Sequence, residues 1–147
     1  MRPPLLKLPS WHRRWLYAAF TWLFATGLAW LALHYSRDAD SLPLPAEAWL
    51  MRLHGLGSML MLLALGMILG SHVLAGWRLT AQPGRSAQRR SGLWLSASLL
   101  ASVLSAYALY YLVPEDWHPG TGWLHSLIAL LALPLWAWHR PGRARQR

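Results

Sequence analysis

Four apolar runs decide what this chain can fold into. Residues 15–35, 48–77, 93–113 and 122–138 each reach or exceed the ~17–25 residues that a bilayer core requires, and they occupy most of the 147-residue chain. Inside hydrocarbon a backbone must satisfy its own hydrogen bonds, so each run predicts a helix. The first run follows Arg13 and Arg14 as a signal peptide would, but it is longer than the usual ~7–15-residue apolar region of one. It reads as a membrane helix.

Composition agrees. Charged residues make up 13% of the chain, about half the roughly 25% of a soluble domain, and 55% of the residues are hydrophobic. Cysteine is absent, which excludes disulfides, thiolate-held iron–sulfur clusters and covalent haem attachment through C-x-x-C-H.

The charges that remain are sorted by segment. Arg2, Lys7, Arg13 and Arg14 precede the first run; Arg78, Arg85, Arg89 and Arg90 lie between the second and third; Arg140, Arg143, Arg145 and Arg147 follow the fourth. All five acids, Asp38, Asp40, Glu47, Glu115 and Asp116, fall in the other two connections. By the positive-inside rule both termini are predicted to be cytoplasmic, in a bacterial-type inner membrane. Basicity then reports topology, and no nucleic-acid partner is expected. Tryptophans at both predicted interfaces, such as Trp15, Trp77 and Trp138 on one side and Trp49, Trp117 and Trp123 on the other, form the expected aromatic belts.

Short polar connections containing proline (SRDADSLPLPAE, LTAQPGRSAQRRSG, PEDWHPGT) predict an all-α, four-helix, up-down-up-down bundle forming one membrane domain over residues 1–147. The two halves are alike, since GLAWLALHY and SAYALYYLV each lead through an acidic loop into a helix with two histidines. A tandem repeat of two-helix units would make the second and fourth helices parallel.

Those histidines are the chemical signal. On an ideal helix His54 and His72, eighteen residues apart, are separated by five whole turns, while His125 and His139, fourteen apart, fall about 40° short of four turns. Each helix therefore presents two imidazoles in one direction. The faces between them, with Ser58, Met61, Leu65 and Ile68 on one helix and Ile128, Ala129, Ala132 and Trp136 on the other, are apolar with several small residues. Such faces suit a flat porphyrin with imidazoles above and below its iron. His54 would pair with His125 near the outer surface, and His72 with His139 near the inner one. His12, His34 and His118 lie at or beyond the membrane boundary and read as interfacial residues, with His34 in reserve as an outer ligand.

This pattern resembles the membrane cytochromes b, whose ligand-bearing helices carry a histidine pair and often an opening like R-x-x-H-A-N-G-A-S. The corresponding residues are Arg52, His54, Gly55, Gly57 and Ser58, then His72, with His125 and His139 at the family's usual fourteen-residue spacing. The resemblance implies a small dihaem cytochrome b acting as membrane subunit of a redox complex. It implies non-covalent haem b, two groups or one, because the ligand separations of about 27 Å and about 21 Å along the two helices differ. Gly57 and Gly76, within about 60° of the histidine face on an ideal helix, could make room for the macrocycle. Arg52, the one arginine at the outer end of its helix, would meet a haem propionate, as Arg78 and Arg140 could on the inner side. Gly66 and Gly70 read as sites of close helix packing.

Three functional classes follow. The first is transmembrane electron transfer, exchanging electrons with quinol or quinone or with an outer-face redox partner such as a c-type cytochrome, drawn by the acidic connections. The second is a haem-free assembly or scaffold subunit whose histidines hydrogen-bond between helices. The third, a transporter or proton relay, is disfavoured because no carboxylate lies well inside a run. No nucleophile–base pair, phosphate loop or carboxylate dyad points to independent catalysis.

Overall fold

A computed structural model describes residues 8–38, 40–81 and 86–139. Helix α1 spans Ser10–Ser36 and α2 spans Pro45–Ile68. A π-helical stretch, Leu69–Leu74, carries α2 on into a short helix α3, Ala75–Leu79. Helix α4 spans Ser86–Tyr111, and a 3-10 turn, Glu115–Trp117, leads into α5, His118–His139. No strand occurs among the described residues.

Four helical runs, Ser10–Ser36, Pro45–Leu79, Ser86–Tyr111 and Glu115–His139, are long and apolar enough to cross a membrane. That is the construction of a multi-pass membrane protein. The helices outrun the apolar stretches at several ends, because backbone hydrogen bonding continues through polar first turns such as Ser10–Arg13 and Ser86–Arg89.

The chain divides into two compact units, Met1–Ala75 and Gly76–Arg147. In the first, α1 and α2 form an antiparallel hairpin. The Trp15 indole N–H donates to the Leu60 carbonyl at 3.2 Å and that of Trp22 to the Leu53 carbonyl at 2.9 Å, so rising numbers on one helix meet falling numbers on the other. In the second unit α4 and α5 do the same: Ser98 Oγ donates to the Ile128 carbonyl at 3.2 Å, with Ser105 beside His125 and Ser91 beside His139.

Both hairpins are built inside out relative to a soluble protein. Leu56, Leu63, Leu100, Leu104 and Leu131 are exposed, whereas the buried set includes Ala19, Thr26, Gly57, Ala64, Ser91 and Ala132. Lipid tails are as apolar as leucine, so helices gain nothing by hiding leucines from them. Association rests on close approach of small residues and on hydrogen bonds between helices.

The α1–α2 connection is tied by Glu47. Its carboxylate accepts from His34 Nδ1 at 3.0 Å and Arg37 Nε at 3.1 Å, and it reaches back to the Leu44 backbone N–H at 3.1 Å. The last contact is half of a capping box, with Pro45 in the first turn of α2 supplying a preset φ. Glu47 is thus buried, while Asp38, Asp40, Glu115 and Asp116 stay exposed.

The π stretch alters one expectation. A five-turn phase between His54 and His72 holds only on an unbroken α-helix, and a π turn takes one more residue than an α turn. His72 lies within that stretch, so it is rotated out of the ideal phase with His54. The local sequence is weakly helical there: Gly70 has little helix propensity, and Ser71 Oγ bonds back to the Met67 carbonyl at 3.0 Å.

Candidate functional site

His54 sits on α2, half-buried, at the level where Thr26 of α1 passes. Its Nδ1 lies 3.0 Å from Thr26 Oγ1. The same arrangement recurs twice in the other unit: His125 Nδ1 is 3.0 Å from Ser105 Oγ, and His139 Nδ1 is 3.2 Å from Ser91 Oγ. The two contacts of that unit share one spacing, because Ser91 and Ser105 are separated by the same fourteen residues as His125 and His139. Thr26 is 7% exposed and Ser91 1%, so the hydroxyls belong to the helix–helix seams.

Small residues bring the backbones close enough for these contacts. A Cβ added at Gly27 would lie 3.3 Å from His54 Cε1, and one added at Gly92 would lie 3.2 Å from His139 Cε1. Both imidazoles therefore rest directly against a glycine of the neighbouring helix.

The fourth expected ligand, His72, is half-buried in the π stretch. In the fourteen-residue register of α4, the α1 position before Thr26 that matches Ser91 is occupied by His12. That residue, read from sequence as interfacial, is only 7% exposed and stacks on Trp11 with ring centroids 4.3 Å apart. Its Nε2 is buried without a hydrogen-bond partner among the described residues. Sequence reasoning missed His12 because it precedes the apolar run.

An unmet buried polar atom costs about 1–3 kcal/mol. His12→Phe keeps an aromatic ring against Trp11 and removes that atom, so it is expected to raise the resistance of the protein to unfolding by about 1 kcal/mol. Thermal unfolding in detergent checks this. A fall in stability would mean that Nε2 is hydrogen-bonded in the folded protein.

Gly57 faces α1, and the space beside it is filled. A Cβ there would fall 2.5 Å from Trp22 Cδ1 and 3.2 Å from Leu23 Cδ2. In this structure Gly57 admits an indole of its own hairpin, where room for a macrocycle was expected. Gly66 and Gly70, expected to pack closely against a helix, have open space where a side chain would stand, as have Gly55 and Gly76.

Arg52 is exposed, with its guanidinium carbon 4.9 Å from the centre of the Trp49 ring. Arg78 is exposed at the end of α3, and Arg140 lies outside the described residues. His34 is held by Glu47 and stacks on Trp30 at 4.4 Å, and His118 Nε2 donates to the Val113 carbonyl at 3.0 Å. No group of three or more metal-ligating side chains occurs among the described residues. Chemically, the site therefore consists of single imidazoles spaced along apolar helices, with hydroxyls as partners. No family model matches the chain, and no curated protein or solved structure matches it either.

Proposed function

We propose that the protein carries electrons across the membrane through non-covalent b-type haem, with His54, His72, His125 and His139 as axial ligands. One observation carries this reading: three of the four imidazoles stand within apolar helices with Nδ1 against a hydroxyl of the paired helix. An acid partner would favour imidazolium. A hydroxyl partner suits the neutral imidazole that a metal needs. The donor set therefore fits haem iron, which takes one imidazole on each face.

Haem, when bound, supplies a one-electron couple. The chain's own residues hold it, keep water away with leucine-rich helices, and tune it. A redox partner belongs to this reading, a quinol or an extracytoplasmic protein attracted by exposed Asp38, Asp40, Glu115 and Asp116, in a cytoplasmic membrane with the termini inside. The test is a reduced-minus-oxidised spectrum of protein purified from haem-replete cells, together with its haem-to-protein ratio. Bands of b type are expected. A colourless protein would end the proposal.

Arg52 enters as a partner for a haem propionate, which makes it a tuning residue and not a ligand. Arg52→Ala is expected to keep the haem and to lower its midpoint potential, since removal of a nearby positive charge favours the oxidised form. A redox titration that superimposes on wild type would confine Arg52 to its contact with Trp49.

A second reading, a haem-free scaffold subunit, draws on the same contacts. Hydroxyl–imidazole pairs between helices would stabilise a hairpin by themselves, by roughly 0.6 kcal/mol each on the average for such bonds in membranes. The spectrum separates the two.

A further inference from the structure

In the first half of α1, Trp11, Arg14, Ala18 and Trp22 recur at intervals of three, four and four residues, with Trp15 beside them, so they share one face of the helix. Together with Gly57 of α2 they line an open groove of about 590 Å³ on the first hairpin. Its walls are fixed. The indoles of Trp15 and Trp22 are each tied through N–H to a carbonyl of α2, and the missing side chain at Gly57 lets Trp22 lie against that helix. A cleft of this volume is of ligand size, and one whose walls are already held loses little entropy on being filled.

Charge identifies the occupant. Arg14 is exposed in the groove and makes no hydrogen bond or ion pair among the described residues. The acids of its hairpin, Asp38, Asp40 and Glu47, stand at the other end of α1, about 30 Å away along the helix axis. Residues 1–7, which precede the helix, include Arg2 and Lys7 and no acid. The counter-charge must come from outside the hairpin. Indoles favour the headgroup level of a bilayer, a guanidinium forks onto two oxygens of a phosphate, and the rest of the groove is apolar.

We propose that this groove binds one anionic phospholipid, with its phosphate on the Arg14 guanidinium and an acyl chain along Trp15, Ala18, Trp22 and Gly57. The dimensions suit a single leaflet. From Trp11 to Trp22 the groove follows α1 for about 16 Å, close to half of a ~30 Å hydrocarbon core. The site does not depend on the haem reading, since it uses none of the proposed ligands.

The experiment titrates the full chain, in micelles of a neutral detergent, with phosphatidylglycerol, and native mass spectrometry reads the fraction of protein that carries one lipid. Diacylglycerol supplies the chains without the phosphate, and inorganic phosphate supplies the charge without the chains. Only phosphatidylglycerol should fill the site, and inorganic phosphate should not displace it. Arg14→Gln removes the charge, and Ala18→Phe fills the groove while keeping Arg14. Each should weaken binding at least about fivefold, with helicity by circular dichroism as in wild type. Arg14→Lys, which keeps the charge but loses the fork, should fall between Arg14→Gln and wild type. Arg13→Gln removes an equal charge from the opposite side of α1 and should bind as wild type does.

Equal losses in Arg13→Gln and Arg14→Gln would reduce the contact to general attraction by a basic surface and overturn the proposal. Wild-type affinity in Ala18→Phe would overturn it too, because the lipid would then lie elsewhere. Tight binding of diacylglycerol, or displacement by inorganic phosphate, would remove one half of the ligand chemistry and with it the proposal. So would a dimer that persists in phosphatidylglycerol and dissociates in Ala18→Phe, since a second copy of the chain would then occupy the groove.

Discussion

Replacing His125 with alanine is expected, on the proposed haem reading, to abolish one haem and leave the rest of the protein folded. A b-type haem is held in place by its iron–imidazole bonds and by packing, with no covalent link to the chain. The substitution also removes the imidazole from beside the Ser105 hydroxyl, but that hydroxyl still donates to the Ser102 carbonyl. The expected readout is a haem-to-protein ratio reduced by one, with helicity by circular dichroism as in wild type. His54→Ala should lower the haem content in the same way. Unaltered haem content in both would exclude these histidines as ligands.

The second large effect is expected at Gly57, on stability. A single added methyl at this position would fall 2.5 Å from Trp22 Cδ1, well inside van der Waals contact, and Trp22 cannot simply rotate away. Its indole N–H donates to the Leu53 carbonyl, one turn before Gly57 on the same helix. Gly57→Val must either spread α1 from α2 or expel the indole and break that hydrogen bond. Overpacking of this kind costs ~1–3 kcal/mol, and loss of the interhelical bond adds about 0.6 kcal/mol. The first hairpin should therefore unfold at markedly lower denaturant in a detergent titration. Trp22→Ala in the Gly57→Val background should recover part of the loss, because the two side chains contend for one space. Gly66→Ala is the control, since nothing stands where its Cβ would go. Equal effects at positions 57 and 66 would mean that the packing of Trp22 on Gly57 does not hold the hairpin.

Much of the architecture is legible along the chain, for a physical reason particular to membranes. A lipid core demands about 20 apolar residues and a fully bonded backbone, so spanning helices announce themselves as composition, with no knowledge of their neighbours. The four runs and the histidines within them were readable in this way. The proline-bearing connections were readable too, because Pro45 and Pro114 stand where one helix begins and another has ended.

What composition could not decide was how residues distant in sequence meet. Serine and threonine in an apolar helix carry no signature of their own, since either can bond back to its own turn. Thr26, Ser91 and Ser105 acquire meaning only from the register of two antiparallel helices, which brings each opposite an imidazole 28, 48 or 20 residues away. Register likewise decided that Gly57 receives Trp22, that His12 turns inward, and that Glu47 is taken up by His34 and Arg37 and withdrawn from the exposed acids. The phase of His72 depended on a π turn, a local choice between i+4 and i+5 bonding that apolar periodicity does not encode. How many helices are long and apolar enough to cross a membrane, and which of them carry imidazoles, follows from the residues of each segment alone, because transfer into lipid is a property of that segment. Which hydroxyl, glycine or indole each imidazole and each gap meets depends instead on how the helices pair, because those contacts join residues far apart in the chain.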